Sequence, residues 1–188
     1  MSEKVKTRIT DPTRVITLAN VLSVLRAFLT FPILYAISLE KMEVFLTLVL
    51  LAIITDYLDG YFARKAHEVT NLGKLLDPLA DAIVVMSVIL FLVLDSRWDF
   101  PMWFFVFYLV RYMSIALSAV YVMNQRHETL SSNRLGKWAI NVAALAILLF
   151  VFNDFEPYDL YLLWLATLLL SFSGVQYFLY HRRLLLKK

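Results

Sequence analysis

Along this chain apolar residues come in long runs and polar residues in short clusters. Six runs, approximately 16 to 38, 43 to 63, 76 to 94, 101 to 123, 135 to 153 and 158 to 180, each hold roughly 20 residues, enough for an α-helix to cross a hydrocarbon core of about 30 Å. The breaks between them carry helix punctuation, such as Asp99 before Pro101 and the pair Glu156-Pro157. The pattern predicts an all-α integral membrane protein with six transmembrane helices in one compact bundle. Residues 1 to 15 form an N-terminal segment, 16 to 183 the helical domain and 184 to 188 a basic C-terminal tail.

Composition strengthens that reading. Of 188 residues, 61% are hydrophobic and 15% aromatic, with four glycines, which does not describe an ordinary soluble domain. No internal repeat or low-complexity tract interrupts the chain, and the first run is too long, and lacks the small-residue cleavage site, for a removable signal. The absence of cysteine rules out disulfides and thiolate metal sites.

Charge adds an orientation. Lys4, Lys6, Arg8, Arg14, Arg64, Lys65, Lys74, Arg126, Arg134, Lys137, Arg182, Arg183, Lys187 and Lys188 flank the runs on one side, against Lys41 and Arg97 on the other. Basic residues near span ends stay in the cytoplasm, so both termini are expected there, in a multi-pass protein of the cell (inner) membrane. The net charge of +3, gathered on one side, points to the anionic headgroups of a lipid bilayer and not to nucleic acid.

Four acids disturb the apolar pattern: Asp56 and Asp59 late in the second run, Asp77 and Asp81 early in the third. A carboxylate at the centre of a span costs on the order of 3 kcal/mol on insertion scales, so something must compensate. In helices the first two are i, i+3 neighbours and the second two i, i+4 neighbours, so each pair shares a face. Adjacent helices with inward carboxylates are how bundles hold two metal ions. Oxygen donors without Cys, and without His on those faces, favour Mg2+ or Mn2+, which in turn share phosphate oxygens with a substrate. Gly60 and Ala63 remove bulk beside Asp56, Arg64 offers a guanidinium to phosphate, and Gly73 opens the approach to Asp77. Taken singly, the small residues equally suit close helix packing. Pro78 directly after Asp77 suggests a helix start with Asp77 near the N-cap. Because the acids lie toward the basic ends of their runs, the site is expected on the cytoplasmic side.

The stretch DYLDGYFARKAHEVTNLGKLLDPLAD reads D-x2-D-G-x2-A-R-x8-G-x3-D-x3-D, filled by Asp56, Asp59, Gly60, Ala63, Arg64, Gly73, Asp77 and Asp81. In this it resembles the CDP-alcohol phosphatidyltransferase family, whose members transfer a phosphatidyl group from CDP-diacylglycerol to an alcohol and release CMP. The resemblance implies that Asp56, Asp59, Asp77 and Asp81 hold two divalent cations, Mg2+ or Mn2+, and that Asp81 also serves as general base. It further implies that Gly60, Ala63, Arg64 and Gly73 line the CDP-lipid site together with Thr70. Asn20, Ser23 and Arg26 in ANVLSVLRAFLTFP resemble the N-x-x-[ST]-x-x-R opening of the phosphatidylglycerophosphate synthase branch, which gives Asn20 and Ser23 to the CDP-lipid; interhelical hydrogen bonding accounts for those two equally well. The family is commonly dimeric, so a homodimer is expected.

LGKLLDPLAD and Gly136-Lys137 also resemble that branch, which uses sn-glycerol 3-phosphate, and Arg111 is a cation in the middle of the fourth run. Arg111 and Lys137 are therefore candidates to bind an acceptor phosphate. The chain departs from the branch at Ala82, usually Lys, at Tyr112, usually Glu, and in WAINVAA after Lys137. Phosphatidylglycerol, as in cardiolipin synthase, or another polar alcohol stays open as acceptor. A divalent-cation transporter would explain the acids but not Arg64, which would repel the cargo. An intramembrane prenyltransferase would usually have more spans.

Overall fold

The computed structural model describes residues 18–66, 73–126, 134–152 and 155–186, with side chains over 20–58, 79–118, 135–152 and 155–179. Six α-helices occupy the described residues: α1 Leu18–Ser38, α2 Met42–Ala66, α3 Gly73–Leu94, α4 Met102–Arg126, α5 Arg134–Phe152 and α6 Tyr158–Leu186. They gather into two compact units, Met1–Val88 and Ile89–Lys188, and the boundary falls inside α3.

In the first unit α1 packs along α2. The turn between them is closed by Glu40 N–H donating to the Ile37 carbonyl at 2.9 Å and Lys41 N–H to the Ala36 carbonyl at 3.0 Å. This is the paired bonding of a Schellman cap, with Glu40 in the left-handed region at φ 54° where glycine usually stands. Ile33, Ala36 and Ile37 of α1 and Phe45 and Ala52 of α2 are buried there. Farther from the turn the buried stripe of α1 changes character, because Asn20, Ser23, Arg26 and Thr30 continue it at helical spacing. The opposite face is apolar and exposed, with Phe28, Phe31 and Tyr35 each more than 60% accessible. Polar inside and apolar outside inverts the soluble arrangement and suits a lipid solvent.

In the second unit α5 and α6 share the closest packing, and α4 also rests on α6. Ala139, Ala143 and Ala146 of α5 and Ala166 of α6 are buried, the small residues that let membrane helices approach without a hydrophobic drive. Gly136 marks a point of close approach, where an added Cβ would stand 2.9 Å from Ser173 Oγ. At the other end of α5, Trp98 Nε1 donates to the Val151 carbonyl at 3.0 Å, and Phe100 packs edge-on against Phe150 at 4.8 Å. The indole thereby satisfies a carbonyl of the last helical turn, which has no partner within its own helix.

Among the described residues, three helices are long and apolar enough to cross a membrane: Asn20–Ser38, Leu135–Phe152 and Tyr158–Leu179. Leu79–Leu94 and Met102–Ser118 are shorter apolar stretches. Helix α3 begins at Gly73, not at Asp77. Asp77 is therefore inside the helix and not its N-cap, and Pro78, which lacks an N–H, costs α3 one bond near its start where few are made.

Candidate active site

Asp56 lies on α2 and Asp81 on α3, and Arg26 of α1 joins them. Its Nη1 stands 2.8 Å from Asp56 Oδ1 and 2.5 Å from Asp81 Oδ1. Both oxygens approach a single nitrogen, so carboxylates from two helices converge on one point. The Arg26 side chain is 3% exposed, against 57% for Asp56 and 53% for Asp81. The guanidinium thus holds the acids from the buried side while much of each carboxylate faces outward. Outward carboxylate oxygens held near one another in this way suit a hard divalent cation such as Mg2+ or Mn2+.

Asn20 and Ser23 lie on the same buried stripe, 4% and 1% exposed, about two turns and one turn before Arg26 respectively. Asp59, Gly60, Ala63 and Arg64 continue α2, and Gly73 and Asp77 open α3, but their side chains lie outside the described residues, and Thr70 lies outside them altogether. Among the described residues no three Asp, Glu, His or Cys side chains gather.

Beside Ser23 an apolar cleft of about 350 Å³ separates α1 from α3, lined by Ala27, Phe28 and Phe31 on one side and Leu79, Ala80 and Ile83 on the other. Its walls are almost wholly hydrocarbon, and Asp81 is the helical neighbour of Ala80. The cleft therefore reaches the residue that precedes Asp81 on α3.

Of the two acceptor candidates in the second unit, Arg111 is half-buried and donates from Nε to the Leu170 carbonyl of α6 at 3.2 Å. Among the described residues it has no carboxylate partner. Lys137 is exposed near the start of α5, next to Gly136, which abuts Ser173. Leu170 and Ser173 are i, i+3 neighbours on α6. Arg111 and Gly136 thus both meet one face of α6, a helical turn apart.

Arg26 did not figure among the candidate ligands or catalytic groups from sequence, although its signal was present. Polar residues at 20, 23, 26 and 30 repeat at helical spacing within an otherwise apolar run, which places them on one face.

The helices and the convergent acids define a helical protein of the membrane with a candidate hard-cation site. Residues 16–172 match the family described as CDP-alcohol phosphatidyltransferase, and the chain belongs to that family. It is similar to the CDP-diacylglycerol--glycerol-3-phosphate 3-phosphatidyltransferase of Bacillus subtilis, 37% identical over 139 residues, covering 70% of this chain and 69% of that protein. The proteins of the same name from Aquifex aeolicus and Mycoplasma genitalium are 32% and 30% identical, with 69% and 64% of this chain and 72% and 58% of those proteins covered.

Proposed function

We propose that this chain transfers the phosphatidyl group of CDP-diacylglycerol to sn-glycerol 3-phosphate, releasing CMP. The convergence of Asp56 and Asp81 on one point, in a chain of this family, carries the reading. The names of the Bacillus, Aquifex and Mycoplasma relatives support the acceptor.

Asp56, Asp59, Asp77 and Asp81 are the residues to hold two Mg2+ or Mn2+ ions, which when bound would neutralise charge on the pyrophosphate. Asp81 accepts the proton of the acceptor hydroxyl, whose oxygen then bonds to the phosphorus carrying diacylglycerol. The bond from that phosphorus to the oxygen of CMP breaks, and CMP leaves with the electron pair. An aspartate is a weak base at neutral pH, so alignment of the two substrates supplies much of the acceleration. Asn20, Ser23, Gly60, Ala63, Arg64, Thr70 and Gly73 orient the CDP moiety, and the cleft between α1 and α3 takes an acyl chain.

Arg111 and Lys137 bind the acceptor phosphate. An intramembrane arginine without an acid partner among the described residues is suited to an anion, and its bond to Leu170 fixes the guanidinium for that task. Six spans, cytoplasmic termini, a site at the cytoplasmic face of the cell membrane and a homodimer complete the proposal.

The test is CMP release by the purified full chain with CDP-diacylglycerol, Mg2+ or Mn2+, and a panel of acceptors. Release with sn-glycerol 3-phosphate is expected, and Asp81→Asn should lower it by about 100-fold or more while CDP-lipid binding persists. Release only with phosphatidylglycerol, or with another alcohol, would overturn the acceptor. No release with any acceptor, together with Mn2+ flux in liposomes, would replace the enzyme by a transporter.

A further inference from the structure

The buried arginine of α1 has no part in the chemistry described above, yet it touches two of the acids at its centre. From this geometry we infer that Arg26 is a positioning residue: from the buried side it fixes the Asp56 and Asp81 carboxylates so that their outward oxygens are set for divalent cations. The inference rests on the proposed function, since it assigns these acids to metal.

Three observations carry it. The contacts are close, at 2.8 and 2.5 Å from one nitrogen, and they tie α1 to α2 and α3 at once. The arrangement is one-sided, because the guanidinium is 3% exposed while the carboxylates are 57% and 53% exposed. An ion therefore has access to the acids from the side opposite Arg26, and the guanidinium need not be displaced. Finally, Arg26 belongs to the buried stripe with Asn20, Ser23 and Thr30, so its stem is packed and its head has little freedom to turn elsewhere.

The physical need is plain. Two carboxylates brought together repel each other, and without a fixed cation between them they would swing apart. A planar, permanently charged guanidinium holds carboxylates at defined angles, whereas an ammonium supplies only a point charge. Partners that orient metal ligands are typically worth 10–100-fold in metal affinity.

The experiment compares the full chain in detergent with Arg26→Gln and Arg26→Lys, titrating Mn2+ without substrate and following bound ion by electron paramagnetic resonance. Arg26→Gln should weaken Mn2+ binding by about 10–100-fold, and Arg26→Lys should recover part of that loss. Unchanged Mn2+ binding in folded Arg26→Gln would overturn the inference. Tighter binding would overturn it too, by making the guanidinium a competitor of the ion. A raised KM for CDP-diacylglycerol with unaltered Mn2+ affinity would instead make Arg26 a ligand of the substrate. If Arg26→Gln does not fold, Arg26→Lys decides: binding equal to the parent chain overturns the inference, and weakened binding supports it. A parent chain that binds no Mn2+ and releases no CMP would remove the proposed function and this inference together. A parent chain that does both, with variants that bind alike, removes the inference alone.

Discussion

Two arginine–aspartate contacts in this protein are nearly equal in length and unequal in consequence. Arg26 reaches Asp81 at 2.5 Å across 55 residues of sequence, with 3% of its side chain exposed. Arg97 reaches Asp95 at 2.6 Å across two residues, with 42% exposed. The first joins separate helices and buries its guanidinium, although the Asp81 carboxylate is 53% exposed against 25% for Asp95. The second closes a local turn after α3, where Arg97 also lies 4.5 Å over the Trp98 ring. Distance alone therefore says little about what a pair does; burial and sequence separation decide it.

Double-mutant cycles test that contrast most strongly. For Arg26→Gln and Asp56→Asn, thermal melting in detergent should be non-additive by about 1 kcal/mol or more, roughly 2–4 °C for a chain of this size. Raising the salt concentration should leave most of that coupling in place. For Arg97→Gln and Asp95→Asn the coupling should be smaller and should fall with salt, because exposed charges are screened within about a Debye length. Equal couplings for the two pairs would break the comparison.

Arg111 stands between these cases. It is half-buried and held by the Leu170 carbonyl of α6 at 3.2 Å, with no carboxylate partner among the described residues. If its charge serves a substrate and not a structural partner, Arg111→Gln should raise the KM for sn-glycerol 3-phosphate by about 10-fold, the loss of one charge-assisted hydrogen bond. The KM for CDP-diacylglycerol should stay near that of the parent chain. A rise in both constants, or a fall in melting temperature with both unchanged, would return Arg111 to a structural role.

The sequence pattern located the helices unevenly, and the unevenness has a cause. At the ends marked by Glu40, Asp99-Phe100-Pro101 and Pro157, predicted and observed limits agree closely: the runs ending at 38 and 94 correspond to Ser38 and Leu94, and those starting at 43, 101 and 158 to Met42, Met102 and Tyr158. At the basic ends the helices run on, to Ala66 against 63, to Arg126 against 123 and to Leu186 against 180. Hydropathy registers where lipid stops, whereas backbone hydrogen bonding continues into water through Arg and Lys, which are good helix formers. That Asp56 and Asp59 lie on one helix, and Asp77 and Asp81 on the next, was legible because the apolar runs carry helix through them. What Arg26 touches was not, since no local rule links position 26 to position 81. That contact exists only once α1, α2 and α3 are placed together.

The smallest effect belongs to Asp95, and its sign can be worked out. The side-chain hydrogen bond from Arg97, helped by the Arg97 backbone N–H and its charge, holds the Asp95 carboxyl below its ordinary range, although desolvation opposes this. A carboxylate whose folded-state value is depressed adds stability above the ordinary carboxylate range and loses it as pH falls through the folded value. Asp95→Asn keeps an oxygen for the 3.1 Å bond from the Arg97 backbone N–H but removes the charge. Its melting temperature should therefore lie slightly below that of the parent chain at neutral pH, and the two should converge as the pH falls below the ordinary carboxylate range. High salt should produce part of the same convergence at neutral pH. A gap that persists unchanged into acid would assign the contribution of Asp95 to the shape of the turn and not to its charge.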